Sequence, residues 1–203
     1  DCGGSVRALE RGVEIAQKLV EDASKVEREP MELGDLLLGT NCGGSDATSG
    51  LAANPVIGVV SDKVVAAGGT VMLGETTELI GTEDILASRA ATPEVADDIY
   101  TIVHGLEQSF VEAGVDVRGA NPSPGNMKGG LSTLEEKALG GISKGGTTPI
   151  TQVVPYGVRP TESGLTIMDT PGYDIESVSG MTCGGAQVLM FSTGRSEEHT
   201  SEL

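Results

Sequence analysis

The chain has very few aromatic side chains: tryptophan is absent, and there are only two phenylalanines and three tyrosines. It therefore offers almost no surface on which nucleic acid bases or sugar rings can stack. Basic residues are also scarce, since 13 Lys and Arg stand against 30 Asp and Glu, for a net charge of −17. This excess of negative charge argues against nucleic acid or an anionic membrane as a partner.

Long apolar runs and paired cysteines are missing as well. No run approaches the roughly 18 apolar residues that cross a bilayer, so we expect a soluble protein. The cysteines, Cys2, Cys42 and Cys183, form no CxxC pair and leave one over in any disulfide scheme. This usage favours a reducing compartment and predicts a cytoplasmic protein. Only His104 and His199 are present, which is too few for a histidine-rich metal site.

Glycine is abundant instead, with 30 residues, roughly twice the ordinary share of ~7%. The stretch 39–55, GTNCGGSDATSGLAANP, places a thiol, a carboxylate and hydroxyls between a predicted strand and a predicted helix. In that helix we expect Asn54 as N-cap and Pro55 at the first helical position. Glycines in a strand-to-helix loop let backbone N–H groups approach an anion closely. The alternative is a glycine-rich turn whose Ser and Asp only cap the chain.

Predicted strands and helices alternate along the chain, which favours an α/β fold with a mainly parallel sheet of unassigned strand order. Segment 121–126, NPSPGN, is expected to be neither helix nor central strand, because of its prolines. A capping box of Ser132 and Glu135 predicts a further helix start. We predict helices at 5–28, 55–67, 82–90, 93–114, 132–140 and from 175, and strands at 36–38, 70–73, 150–154, 165–168 and 187–191.

The chain divides into three predicted parts. Residues 1–34 are interpreted as a helical segment that ends a preceding domain, and residues 35–194 as an incomplete α/β catalytic C-terminal domain. The last nine residues, 195–203, back-translate to AGA TCG GAA GAG CAC ACG TCT GAA CTC, which resembles sequencing-adapter read-through. We expect that segment to be an artefact. Because the chain begins at Asp1, we also expect an N-terminal part to be missing.

Polar clusters follow directly after four of the predicted strands. They lie at 42–46, at Glu75, at 169–174 and at 192–194. Carboxyl ends of strands are where open α/β sheets bind ligands, so these clusters predict a site at one edge of the sheet. Turns also favour Asp, Ser and Gly on their own account, which leaves a purely structural interpretation open.

Cys42 lies near the predicted helix start, which is expected to lower its pKa and favour a thiolate, either a nucleophile or a metal ligand. The alternative is a small buried apolar residue. Asp46, Glu75 and Asp174 supply oxygen donors for a divalent metal or carboxylates for acid–base chemistry; otherwise they are caps or solvated charges. Lys128 is suited to neutralise a substrate carboxylate.

Five runs, CGGSDATSGLAANPVIG, GETTEL, ANPSPGNMKGGLSTLEEKALG, TPGYD and LMFSTGR, closely resemble the altronate dehydratase and galactarate dehydratase family. They occur in the family's order between about residues 36 and 194. Members dehydrate sugar acids to 2-keto-3-deoxy acids and typically require Fe(II) or another divalent metal, Mn²⁺ among the candidates. The resemblance implies that this chain is the central-to-late part of the catalytic region and is inactive alone.

The resemblance and the chemistry together suggest residue roles. Cys42 and Asp46 are expected to bind metal, and Glu75, Asp174 and Asp46 to act as catalytic groups. The expected contacts to the sugar acid substrate are Gly43, Gly44, Ser45, Asn121, Ser123, Gly125, Asn126 and Lys128.

Two alternatives remain open. The run TPGYDIESVSGM reads nearer to two-part members such as the large subunit of sulfolactate sulfo-lyase, which implies a separate small subunit. With either assignment we expect a homo-oligomer. A non-catalytic anion-binding module would use the same glycine-rich loops.

Overall fold

The structure, a computed structural model, describes residues 3–194. Asp1, Cys2 and the segment 195–203, which we expected to be an artefact, lie outside the described residues. The chain separates into two units, residues 1–31 and residues 32–203. Among the described residues, no helix is long and apolar enough to cross a membrane.

The first unit is helix α1, Ser5–Ala23. Its apolar residues recur every three or four positions, but none of them is buried within this chain. Gly4 precedes the first helical residue as its cap. The helix ends before the predicted residue 28, because the Ser24 hydroxyl donates to the Glu21 carbonyl and competes with continued helical bonding.

The second unit is built on a five-stranded sheet in the order β3-β4-β2-β1-β5, and every neighbouring pair is parallel. The predicted α/β fold with a parallel sheet is therefore confirmed. The strands are β1 (Leu37–Gly43), β2 (Thr70–Leu73), β3 (Ile150–Val154), β4 (Gly164–Met168) and β5 (Val188–Thr193).

Helices lie in the connections between successive strands, except between β3 and β4, which residues 155–163 join without a helix. They are α2 (Asn54–Ala66), α3 (Glu83–Ala87), α4 (Pro93–Glu112), α5 (Val117–Ala120), α6 (Pro124–Lys128), α7 (Leu134–Ile142) and α8 (Asp174–Cys183). Short turns lie at Leu33–Asp35, Ser49–Ala53, Thr76–Glu78 and Ser143–Gly145; the second is π-helical and the others are 3-10.

Two apolar clusters pack against the two faces of the sheet, because successive strand residues point to opposite sides. The larger joins Val71 and Leu73 of β2 to residues of α2, α3, α4 and α7. The smaller joins Met72 of β2 and Met168 of β4 to Met181 of α8. The sheet is therefore covered by helices on both faces.

Strand β1 continues five residues beyond its predicted end, so that Cys42 and Gly43 belong to the strand. It has a hydrogen-bonded neighbour on each side, β2 and β5, which supports its whole length. Leu189 and Met181 occupy the space beside Gly39, where a Cβ would lie 2.4 Å and 3.1 Å from them. Tertiary packing thus overrides the weak strand propensity of glycine.

The prediction that 121–126 is not helical is wrong at its end, because α6 begins at Pro124. Proline is tolerated at the first helical position, where its N–H would be unpaired anyway, and Ser123 caps the helix. Helix α7 starts one residue late, with Thr133 accepting from the N–H of Glu136 instead of the predicted Ser132 and Glu135.

Asn54 does not cap α2 as predicted, because a π-helical turn precedes the helix and leaves Asn54 inside helical backbone. Its amide instead donates to the Gly140 carbonyl at 3.0 Å and accepts from the hydroxyl of Ser192. Asn54 therefore ties α2 to α7 and to the end of β5.

Candidate active site

A cleft of about 600 Å³ opens where β1 and the turns after β2 and β4 end. The polar clusters predicted to follow these strands therefore meet at one edge of the sheet. The polar part of its lining is Cys42, Gly43, Gly44, Ser45, Thr77, Glu78, Asn121, Ser123, Asn126, Lys137 and Asp174. The apolar part is Leu106, Phe110, Val115, Val117, Ala120, Pro171 and Tyr173, together with Gly172.

Behind the cleft surface, Lys144 links the ends of β1 and β2. Its Nζ lies 2.8 Å from Sγ of Cys42 and 3.0 Å from Oε2 of Glu75, and its side chain is 1% exposed. The turn that carries it is fixed to the fold, since the Ser61 hydroxyl donates to the Lys144 carbonyl at 2.7 Å. A lysine this deeply buried persists only where anionic or polar partners receive its charge.

Glu75 is held in a left-handed backbone conformation, with φ 67° and ψ 62°. Such a conformation costs a non-glycine residue about 1 to 3 kcal/mol, so the surrounding contacts must enforce it. The Glu75 N–H donates to Oγ1 of Thr170 at 2.6 Å, and Oε2 accepts from the Cys42 N–H at 3.0 Å. Glu75 does not line the cleft; it supports Cys42 and Lys144 from behind.

The predicted low pKa of Cys42 is wrong. Burial raises the pKa of the thiol to about 11, and the nearby Lys144 ammonium only partly opposes this effect. Cys42 lies in a strand with buried surroundings rather than at a helix start, so no helix terminus stabilises the thiolate. At neutral pH the residue therefore carries a protonated thiol, and Lys144 and the Ser45 hydroxyl donate to its sulfur.

Asp174, the first residue of α8, lines the cleft beside β1, the strand that carries Cys42. Its Oδ1 accepts from Nδ2 of Asn41 at 3.1 Å. Gly43 makes this approach possible, because a Cβ there would lie 2.6 Å from Oδ2 of Asp174. Partial burial raises the pKa of Asp174, and the hydrogen bond from Asn41 acts in the opposite direction. The result is a carboxylate of enhanced basicity on the cleft wall.

A second lysine stands on the cleft surface itself. Nζ of Lys137 lies 2.7 Å from Oε1 of Glu78 and 3.0 Å from Oδ1 of Asn121. The side chains of Lys137 and Glu78 are only 11% and 7% exposed. This pair joins α7 to the turn after β2 and puts a fixed positive charge in the cleft lining.

Other predicted site residues have structural contacts. Asp46 caps the helical turn that follows it: Oδ1 accepts from the Ser49 N–H and the Thr48 hydroxyl, each at 2.8 Å. Asp46, Gly125 and Lys128 are not part of the cleft lining, and Lys128 is exposed at the end of α6. Their predicted roles in chemistry or binding remain predictions.

The substrate contacts expected from 121–126 are partly placed at the cleft. Asn121, Ser123 and Asn126 line it, and Nδ2 of Asn126 donates to the Ser45 carbonyl at 2.8 Å. That bond joins α6 to the loop after β1. Gly43, Gly44 and Ser45 are at or next to the Ser45 end of this hydrogen bond. The structure therefore brings them together with Asn121, Ser123 and Asn126 in one cleft lining.

The described residues do not form a metal site by themselves. Within 3–194 no three Cys, His, Asp or Glu side chains are grouped so as to hold an ion. The sulfur of Cys42 faces the Lys144 ammonium at 2.8 Å, a position in which a second cation would be repelled. Oδ1 of Asp46 is used in capping. The expected Cys42 and Asp46 pair therefore does not fit Fe(II) or Mn²⁺ without further ligands.

Sequence reasoning missed Lys137, Lys144 and Glu78. For Lys144 a signal was present, since glycine pairs flank it closely in GGISKGG and glycine permits close backbone approach. A Cβ on Gly58 would lie 2.2 Å from the Ser143 carbonyl oxygen, which shows how tightly this turn packs on α2. Lys137 and Glu78 have no comparable signal, because both resemble ordinary surface charges of amphipathic segments.

Comparison with known proteins identifies the family. The family model described as D-galactarate/altronate dehydratase, C-terminal, matches residues 33–202. The chain is 41% identical to the altronate dehydratase of Bacillus subtilis over 92% of this chain and 37% of that protein. It is 39% identical to the galactarate dehydratase (L-threo-forming) of Escherichia coli over 90% of this chain and 35% of that protein.

A third relative has a different name. The chain is 36% identical to the (2R)-sulfolactate sulfo-lyase subunit beta of Chromohalobacter salexigens, over 89% of this chain and 47% of that protein. The chain thus spans between 35% and 47% of the length of these three relatives, two of which are named dehydratases and one a sulfo-lyase subunit. With a family model matched over most of its length, the chain belongs to the D-galactarate/altronate dehydratase family, of which it represents the C-terminal region.

Proposed function

We propose that the whole protein is a hydro-lyase that dehydrates a sugar acid of the altronate or galactarate type to a 2-keto-3-deoxy acid. The cleft at the carboxyl edge of the sheet then forms part of its active site. The observation that carries this proposal is the meeting of Cys42, Glu78 and Asp174, from the end of β1 and the segments after β2 and β4, at one cleft. The family membership and the names of the relatives support it.

Dehydration requires removal of the proton at C2 and departure of the hydroxyl at C3. The resulting enol then takes up a proton at C3 and becomes the 2-keto-3-deoxy acid. We assign proton removal to Asp174, because its carboxylate lines the cleft and burial raises its pKa, which strengthens it as a base. Gly43 and Asn41 fix the position of that carboxylate.

The departing hydroxyl needs a proton so that it leaves as water. Cys42 is suited to supply it, because its thiol is protonated at neutral pH and the residue belongs to the lining of the cleft. Once the proton is transferred, the Lys144 ammonium 2.8 Å away stabilises the thiolate. Glu75 is assigned a positioning role, since it holds Lys144 and the Cys42 backbone but does not reach the cleft.

A polyhydroxy acid needs several hydrogen-bonding partners, and the remaining polar lining supplies them. Asn121, Ser123 and Asn126 offer amide and hydroxyl groups from one side, and Gly43, Gly44 and Ser45 lie on the other. An Fe(II) or Mn²⁺ ion in the whole protein would need ligands beyond the described residues. The steps above are therefore assigned to this chain's own residues alone.

Elimination of sulfite from sulfolactate is the second candidate function, and the relationship to a sulfo-lyase beta subunit favours it. It needs the same proton removal but breaks a carbon–sulfur bond. In either case we propose a separate small subunit, suggested by the name of that relative, and a homo-oligomer in the cytoplasm. An anion-binding module without catalysis is the third candidate.

The test is to incubate the full-length protein anaerobically, with and without added Fe(II), with altronate, galactarate or sulfolactate. Formation of a 2-keto-3-deoxy acid supports the hydro-lyase, and release of sulfite supports the sulfo-lyase. Binding of these acids without any product would indicate the anion-binding module. Absence of both binding and product would contradict all three.

A further inference from the structure

The cleft contains one positive charge at its surface. Of the residues described, Lys137 is the one Lys, Arg or His that lines it. Lys144 lies behind Cys42 with its side chain 1% exposed, and Lys128 projects from the end of α6 outside the lining. A negatively charged ligand in this cleft therefore has Lys137 as its cationic partner within the described chain.

The ammonium of Lys137 has a donor to spare. A lysine ammonium carries three N–H donors. Two are directed to Oε1 of Glu78 at 2.7 Å and Oδ1 of Asn121 at 3.0 Å, which fixes the nitrogen in place without consuming the third. Because the side chain is only 11% exposed, water competes weakly for that donor. A fixed, partly desolvated ammonium with a remaining N–H is suited to bind one carboxylate oxygen.

The neighbouring groups define the orientation of such a ligand. Lys137 and Asp174 both line this cleft, and the positive charge of Lys137 opposes the rise in the pKa of Asp174. In a 2-hydroxy acid the carbon that loses its proton is bonded directly to the carboxylate carbon. A carboxylate at Lys137 thus brings that carbon toward Asp174.

We propose that Lys137 binds the carboxylate of the acid substrate through the ammonium N–H that donates to neither Glu78 nor Asn121. The chemical class of ligand is a small hydroxy acid with a free carboxylate. Lys137 replaces Lys128, the cation that the sequence pattern had suggested for this role. The inference rests on the proposed function for the identity of the acid, but the carboxylate site itself is testable without turnover.

The experiment compares equilibrium binding of galactarate with binding of galactitol, which has the same carbon chain and no carboxylate, to the full-length protein. Wild type is expected to prefer galactarate. Lys137→Gln is expected to weaken galactarate binding at least about tenfold, the effect of losing one charge-assisted hydrogen bond, and to leave galactitol binding unchanged. Lys63→Gln, at an exposed position in the last turn of α2 and outside the cleft lining, is the matched control and is expected to bind both ligands like wild type.

A double variant separates ligand binding from folding. Lys137→Gln alone leaves the Glu78 carboxylate buried without its cation, whereas Glu78→Gln with Lys137→Gln restores a neutral hydrogen-bonded pair. If Lys137 only supports Glu78, the double variant binds galactarate like wild type, and the inference is overturned. If Lys137 binds the carboxylate, the double variant stays folded by circular dichroism and still loses the preference for galactarate.

The outcomes also distinguish this inference from the proposed function. Wild type that binds galactarate through Lys137 and forms no product supports the carboxylate site and contradicts the dehydratase assignment. If Lys137→Gln still binds galactarate and still forms product, the dehydratase assignment is supported and the proposed binding of the carboxylate by Lys137 is overturned. Equal affinity of wild type for galactarate and galactitol, or no binding of galactarate, also overturns it.

Discussion

Lys144 and Cys42 are separated by 102 residues in sequence, yet Nζ of the first lies 2.8 Å from Sγ of the second. The same ammonium reaches Glu75 on the next strand end at 3.0 Å. One buried cation therefore holds together two of the strand ends that form the cleft. Its removal tests how far the architecture of this edge depends on that charge.

Lys144→Met is expected to destabilise the protein by about 3 to 5 kcal/mol, because it leaves the carboxylate of Glu75 buried without a cation. Urea unfolding of the full-length protein measures the change. Lys128→Met, at an exposed position, is the control and should change the free energy of unfolding by no more than about 0.5 kcal/mol. Glu75→Gln combined with Lys144→Met should lose less than Lys144→Met alone; a larger loss would contradict the charge-pairing explanation.

Cys42 is expected to resist alkylation near neutral pH, since burial raises its pKa to about 11 and the thiol rather than the thiolate is present. Cys183 is exposed and serves as an internal control that iodoacetamide modifies first. Because the folded-state pKa lies above the ordinary value of 9.0, the stability due to Cys42 is complete below that value and is lost as pH rises through about 11. Peptide mapping that finds Cys42 modified as fast as Cys183 would refute a protonated, buried thiol.

Gly43→Ala is expected to displace Asp174, because a Cβ at this position would lie 2.6 Å from both Oδ2 of Asp174 and the ring of Phe191. We expect kcat to fall on the order of 100-fold, which is typical of a catalytic group moved by about 1 Å. Gly105→Ala in α4 is the matched control: its Cβ meets nothing within 4 Å, so activity should be retained and stability unchanged or slightly raised. Equal activity of both variants would show that the position of Asp174 is unimportant.

Asp174→Asn is expected to lower kcat by about 100-fold or more with a smaller effect on KM, as loss of a general base does. In wild type, activity should fall as the solution is acidified through the pKa of Asp174, which burial raises above the usual aspartate range. The pH dependence of kcat measures this acidic limb. Its persistence in Asp174→Asn would assign the titration to another group.

The alternation of elements was predictable because the patterns are local. Strands β2 and β3 have the predicted bounds. Once the sheet is parallel, chain order places Glu75 beyond the end of β2 and Asp174 at the end of the segment that follows β4. That these residues lie at one edge of the sheet can be inferred without knowing any side-chain contact. This is why the location of the cleft follows from the sequence.

The interior of the site was not predictable in the same way. Contacts such as Lys144 with Cys42, and Lys137 with Glu78, join residues 102 and 59 positions apart, and no periodicity encodes them. Burial of Cys42 in the packed structure raises its pKa, so the direction was predicted wrongly from a nearby helix start alone. The local sequence pattern determines which residues lie at the carboxyl edge of the sheet. The protonation states and hydrogen-bond partners of their side chains depend on the packed structure.

The most direct test of the central claim is a crystal structure of the full-length Asp174→Asn variant with galactarate bound. We predict density for the acid in the cleft, one carboxylate within hydrogen-bonding distance of Nζ of Lys137, and C2 facing residue 174. Galactarate bound at another site, with this cleft empty, would contradict the assignment of the carboxyl edge of the sheet as the place of the reaction.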